Sequence, residues 1–113
     1  MIIQGKVWGH TIPVFCKNNV EINKLKLNRG HQCSKHIHDS KYNMFYVISG
    51  EIKVRVWKNE YDLVDETVLT ADQGTIVKPK EYHRFEVLQD SVILEVYWVQ
   101  LDVGDILRAD VGE

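Results

Sequence analysis

Apolar residues in this chain fall in short runs, several of them alternating with polar ones, and turn residues cut them at about the 8–12-residue spacing of an all-β sandwich or barrel. The cleanest run is 51–56, with Ile52, Val54 and Val56 on one face and Glu51, Lys53 and Arg55 on the other. Residues 44–49 are almost continuously apolar, so both faces of that strand should be covered. Ser49-Gly50 then reads as a tight hairpin turn, because the next run begins at once. Residues 20–27 alternate only in part, and the slip near Lys24 reads as a bulge. Further strands are expected at 61–63, 67–69, 75–77, 84–87 and 92–100. Only the tail, 104–110, suits a helical turn, with Asp105 in its first turn. No stretch keeps a helical period for long, and β-branched and aromatic residues dominate the runs. The expectation is an all-β fold of antiparallel strands.

The chain has 113 residues and neither repeats nor linkers, which predicts one domain over 1–113 with a single core. A formal charge of −2 offers no broad basic field, so neither nucleic acid nor an anionic membrane is an expected partner. No apolar run approaches the roughly 18 residues of a membrane span. The opening MIIQGKVWGH lacks the charge order and cleavage site of a signal peptide. Cys16 and Cys33 make no disulfide framework, and reduced thiols point to a cytoplasmic protein.

The strongest chemical signal lies in His36-Ile37-His38. On a strand, residues two apart project from one face, so His36 and His38 can grip one ion side by side. A third ligand must come from a neighbouring strand. His83 is the candidate, since it precedes Phe85 and Val87 at period two, which places all three on one inward face. Three neutral imidazoles suit a divalent ion such as Zn, Mn, Fe or Ni and leave coordination positions open.

The segment Gly30-x5-His36-x-His38-x4-Asn43-x6-Gly50 resembles the first motif of the cupin superfamily, and Gly74-x4-Pro79-x3-His83 resembles the second. The resemblance implies a double-stranded β-helix, the cupin or jelly-roll barrel. Within the superfamily the chain is most similar to the cupin domain of type II mannose-6-phosphate isomerases. That likeness rests on Lys6-Val7-Trp8-Gly9, Val47-Ile48-Ser49-Gly50, Leu94-Glu95-Val96 and Asp105-Ile106-Leu107-Arg108. It implies a small-molecule ligand, namely a sugar, sugar phosphate or similar polar metabolite, and an isomerase-like activity. One departure stands out: Asn43 occupies the position where the family usually has a glutamate ligand. Asn43 either ligates the ion through its amide oxygen or hydrogen-bonds a water or ligand. Without a carboxylate, the ion's charge is uncompensated and an anionic guest is favoured. The missing carboxylate also fits a non-catalytic ligand-binding or sensing cupin, or a three-histidine dioxygenase.

Cys33 lies three residues before His36, so strand parity sets it on the opposite face as a buried structural thiol. His31 is off phase in the same way, and His10 follows Trp8-Gly9 with nothing to tie it to the ion. Lys35, Lys41, Lys78, Lys80 and Arg84 flank the three histidines, and Arg84 alternates away from His83. Glu81, Glu95 and Tyr97 are the candidates for a general base. The two-sided apolar run 44–49, with Trp57 and Trp98, predicts a homodimer.

Overall fold

The computed structural model describes residues 2–58, 63–99, 105, 107–110 and 112. Among the described residues, seven strands form one antiparallel sheet: β1 (Gln4–Lys6), β2 (Gly9–Lys17), β3 (Val20–Leu27), β4 (Tyr42–Lys58), β5 (Leu63–Leu69), β6 (Gly74–Val77) and β7 (Tyr82–Trp98). Their order is β1-β2-β3-β7-β4-β5, with β6 also paired to β4. No helix occurs among the described residues, in line with the all-β reading.

Two strands of 17 residues each, β4 and β7, organise everything else. They pair from Tyr42↔Trp98 to Trp57↔Tyr82, with the register slipping between Val47 and Ile52. On its other edge, β4 takes β6 before the slip and β5 after it. Likewise β7 takes β3 along its second half, while bridges from Gln32 and His36 meet its first half. Inward positions on β4 are odd up to Val47 and even from Ile52, and across this slip five steps of β4 face six steps of β7, from Ile93 to Val87. The sheet thus closes over a core of Leu25, Leu27, Phe45, Val47, Ile52, Val54, Leu69, Val77, Phe85, Val87 and Ile93. This is the antiparallel jelly-roll barrel that the strand spacing and the two motifs led us to expect.

Several details depart from the sequence expectation. Ser49-Gly50 is no hairpin turn, because β4 runs straight through it. Gly50 (φ 96) carries the slip, and a side chain there would collide with Ser91 Oγ and the Asp90 carbonyl of the paired strand. The bulge expected at Lys24 is absent from β3, whose pairing with β7 is unbroken. The irregularity lies across the pair, between Pro13 and Phe15 of β2. The apparent slip has another cause: the inward face of β3 changes from Glu21 and Asn23 to Leu25 and Leu27, from cavity wall to core.

Strands β1 and β2 were not anticipated, since Pro13 and a mixed pattern hide them. A side chain at Gly9 (φ 148) would run into the Lys26 carbonyl, so glycine permits this close start of β2. The expected runs 67–69 and 84–87 are parts of the longer β5 and β7, and the run 92–100 lies in β7 only as far as Trp98, with Val99 beyond the strand. Residues 61, 62 and 100 lie outside the described residues, and Leu63 opens β5. Of the expected tail turn, Asp105, Leu107, Arg108, Ala109 and Asp110 adopt no helix, and the rest lies outside the described residues.

Candidate metal centre

The segment before β4 is not a regular strand. It meets β7 through two isolated bridges, Gln32↔Glu86 and His36↔His83, and through single backbone bonds such as Gly30 N–H to the Val87 carbonyl (2.9 Å). Those two bridges differ by one residue in register, so an extra residue sits between them and reverses the side-chain parity. Cys33 therefore faces inward with His36, contrary to the expectation from strand parity. Its backbone N–H donates to the Phe85 carbonyl (3.1 Å), and the Phe85 N–H donates to Cys33 Sγ (3.2 Å). The expectation of a buried structural thiol holds in its other half: burial pushes the Cys33 thiol up to about 11, so it stays protonated.

The three expected histidines come together. His36, His38 and His83 each present a ring nitrogen, all within 4.8 Å of one another. The rings of His36 and His83 have centroids 4.4 Å apart, those of His36 and His38 5.0 Å. Backbone carbonyls fix two of the rings. Nδ1 of His36 lies 2.8 Å from the Ser34 carbonyl and Nδ1 of His83 lies 3.0 Å from the Glu81 carbonyl. A carbonyl only accepts, so each Nδ1 carries the hydrogen and each Nε2 offers its lone pair. The chain around His38 is held by Lys80, whose backbone N–H donates to the His38 carbonyl (2.7 Å) from a left-handed turn (φ 65).

Nε2 of His38 and Nε2 of His83 are buried without a hydrogen-bond partner. Burying such an atom unpaired costs about 1–3 kcal/mol, so two at one point call for a common partner. Burial holds both rings below the usual histidine range, His83 at about 4, with the neighbouring imidazoles adding to the shift. Neutral, convergent imidazoles with orphaned lone pairs are the donor set a divalent cation needs.

Asn43 is fully buried at the start of β4, paired with Tyr97 of β7 and Val77 of β6. Its Nδ2 donates to the Val96 carbonyl (3.4 Å), which leaves its Oδ1 buried without a partner. A third orphaned acceptor on this inward surface fits either a ligand oxygen for a cation or an acceptor for a guest's hydroxyl.

Beside the histidines opens a cavity of about 660 Å³. His36, Cys33, Phe85 and Trp8 line it, with Glu21 and Asn23 from β3 and Glu95 and Tyr97 from β7. Burial pushes the Glu95 carboxyl up to about 7, with Glu21 adding to the effect while hydrogen bonds from Tyr97 and Asn23 oppose it. Asn23 also donates to Glu21 (3.2 Å), so the amide links the two carboxyl groups. Of the three candidate bases, Glu95 and Tyr97 reach this cavity. Glu81 instead pairs with Lys58 (2.7 Å) and caps the Lys78 N–H (3.1 Å), which holds the Pro79 turn.

The flanking cations are mostly occupied. Lys35 sits over Trp57 (4.1 Å) and Lys41 over Tyr97 (5.3 Å). Arg84 does not simply point to solvent: its Nε donates to the Cys33 carbonyl (3.0 Å) and it borders the cavity. His31 is exposed and His10 pairs on the β2 edge, away from the histidine trio. Sequence reading missed Glu21, Asn23 and Trp8 as cavity residues. The signal was present, because polar groups at the inward positions of β3 mark a wall that faces open space.

The family model described as Cupin domain matches residues 23–100. Among solved structures, KdgF from Halomonas sp. superposes with a TM-score of 0.75 at 16% identity, over 90% of this chain and 89% of that one. An RmlC-like cupin from Shewanella frigidimarina gives 0.73 at 19% identity, over 88% and 84%. Oxalate decarboxylase from Lactobacillus farciminis, as a formate complex, gives 0.76 at 16% identity, over 88% of this chain but 31% of that one. At these identities the likeness concerns the fold. No curated protein matches the chain.

Proposed function

Because this chain belongs to the cupin domain family, we propose that it is a metal-binding cupin in which His36, His38 and His83 hold one divalent ion beside a small-molecule site. The observation that carries this reading is the pair of buried, unpartnered Nε2 atoms of His38 and His83, converging with His36. Asn43 Oδ1 is a candidate fourth contact. The ligand is a sugar or similar polar metabolite, and the action on it is isomerase-like. A divalent ion bound here polarises ligand oxygen and favours negative charge on it.

The chain's own residues supply the rest. Glu95, titrating near 7, accepts or returns a proton at neutral pH, which an ordinary exposed carboxylate does poorly. The Tyr97 hydroxyl donates to Glu95 and orients its carboxylate. Trp8 and Phe85, edge to face at 5.4 Å, form the apolar wall. A second reading, a ligand-binding cupin without turnover, draws support from Asn43 in place of a carboxylate. Calorimetric titration with Mn²⁺, Zn²⁺, Fe²⁺ and Ni²⁺, repeated on His38→Ala and His83→Ala, tests the centre. One site per chain, lost in both variants, is expected, and equal uptake by all three proteins would remove it. Turnover on a sugar panel separates the two readings.

No described helix is long and apolar enough to cross a membrane. Free Cys16 and Cys33 accord with a cytoplasmic setting. We also propose a homodimer through the outer face of the sheet. One register row there reads Phe15, Ile22, Val96, Met44, Ile76 across five strands, with Phe15 44% and Ile76 53% exposed. Leaving so apolar a row in water is costly. Sedimentation of the wild type and Met44→Lys at micromolar concentration checks this: a dimer that dissociates in the variant supports it, and a monomeric wild type removes it.

A further inference from the structure

Resting on the small-molecule reading above, we infer that the cavity wall formed by Glu21, Asn23, Glu95 and Tyr97 receives the hydroxyl groups of a neutral sugar or polyol, and excludes a phosphate from that end. This goes beyond the ligand class that the sequence resemblance implies, in which a sugar phosphate stands beside a sugar.

The argument starts from what each side chain can accept or give. A carboxylate only accepts hydrogen bonds, a protonated carboxyl also donates one, an amide does both, and a sugar hydroxyl does both. Glu21 and Glu95 reach the cavity from neighbouring strands, with Asn23 linking them at 3.2 Å from Glu21. Tyr97 adds a hydroxyl held on Glu95, and Thr11 and Gln4 extend the polar surface. Trp8, braced edge-on against Phe85, gives this wall an aromatic neighbour suited to the C–H groups of a sugar ring.

A phosphate asks for the opposite. It carries up to two negative charges and needs several donors, usually arginine or lysine. Two carboxyl groups on one wall repel it. Of the nearby cations, Lys35 lies over Trp57 and Lys41 over the Tyr97 ring, while Arg84 borders the cavity with its Nε spent on the Cys33 carbonyl. Lys6, exposed on β1, is the one lysine that borders the cavity. With Arg84 it makes two bordering cations, but the hydrogen bonds to the Glu21 and Glu95 carboxyls come from Asn23 and Tyr97, so the wall itself offers a guest neutral donors and acceptors.

Matched probes test this: D-mannose, D-glucose, D-mannitol and myo-inositol, each against its monophosphate, followed by tryptophan fluorescence with and without saturating Mn²⁺. The expected result is saturable binding of at least one neutral probe, weakened about tenfold or more by the phosphate. In Glu21→Gln/Glu95→Gln, which keeps shape and removes charge, that gap should narrow to about threefold or less. Phosphates binding as tightly as their neutral partners in wild type would overturn the inference. So would an absence of binding by every neutral probe. A Mn²⁺ titration run alongside separates the two ideas: metal uptake with phosphates preferred sinks the hydroxyl wall and spares the centre, and neutral preference without metal uptake does the reverse.

Discussion

On β7, Val87 and Ile93 face into dry packing, whereas Glu95 and Tyr97, further along the same inward face, line an open cavity. The same contrast runs along β3, from Leu27 and Leu25 to Asn23 and Glu21. It recurs on β4, where Val47 and Phe45 give way to the buried amide of Asn43. Each long strand therefore carries two kinds of interior. At the apolar end every side chain gains by leaving water, at about 25 cal/mol for each Å² buried. At the polar end His38, His83 and Asn43 leave acceptor atoms buried and unpaired, which costs stability. The apolar end offsets that cost and holds the polar end in a geometry it would not choose alone.

The largest effect should come from breaking the apolar end. Ile52→Ala removes a fully buried side chain from the half of β4 beyond the slip. Urea unfolding should show a loss of about 2–5 kcal/mol. The folded fraction should still take up divalent metal at wild-type stoichiometry, because Ile52 is not among the cavity-lining residues. A stability change below about 0.5 kcal/mol would mean that this end is not the anchor.

The reverse substitution sharpens the contrast. His83→Ala should weaken divalent-metal binding by about a hundredfold in calorimetry, close to 3 kcal/mol. Yet the metal-free variant should unfold within about 1 kcal/mol of wild type, because the deleted ring carries an unpaired buried nitrogen. Large metal-free destabilisation would show instead that His83 is a packing residue.

These contrasts explain which features could be read from sequence. The histidines were legible because His36-x-His38 and His83 obey the period-two rule within short spans, and ligand chemistry restricts the residue types. The all-β class was legible from turn spacing and β-branched content. The rule failed wherever the chain left regular pairing: at the extra residue between Gln32 and His36, which turned Cys33 inward, and at Gly50, where a slip in β4 imitated a hairpin. A local pattern cannot distinguish a turn from a bend, because the partner strand decides. The polar half of β3 was misread for a related reason. Glu21 and Asn23 look out of phase only if the interior is assumed to be apolar throughout.

Acid–base behaviour separates the two ends again. Glu95 binds its proton more tightly folded than unfolded, near 7 against an ordinary 4.5. Its contribution to stability is therefore fully present below 4.5 and lost as pH rises through 7. His83 runs the other way: held at about 4 against an ordinary 6.5, it costs the metal-free fold stability as pH falls below 6.5. The two slopes oppose each other between about 4.5 and 6.5, so metal-free wild type should be nearly flat there. Glu95→Gln should uncover a rise with pH across that window, and at pH 8 should be more stable than wild type by about 2 kcal/mol. Parallel pH profiles for the two proteins would show that Glu95 is not buried as a proton-binding group.

The smallest effect concerns Asn43, and it decides what the orphaned oxygen is for. If Oδ1 contacts the ion, Asn43→Ala should weaken metal binding by about tenfold or less, well short of a histidine loss, because a neutral amide contributes a dipole and no charge. Asn43→Glu should then tighten metal binding, since a carboxylate compensates charge that three neutral imidazoles leave uncovered. It should also weaken any anionic guest by lowering the net charge of the site. If Oδ1 serves only a guest's hydroxyl, Asn43→Ala should leave metal affinity unchanged while guest affinity falls by about 1–3 kcal/mol. Asn43→Glu then has no ion contact to improve, and its added buried carboxylate costs stability instead. Paired titrations with Mn²⁺ and with a neutral sugar on the same two variants give opposite patterns for the two roles. A change in neither affinity would assign Asn43 to packing alone, through the bond from its Nδ2 to the Val96 carbonyl.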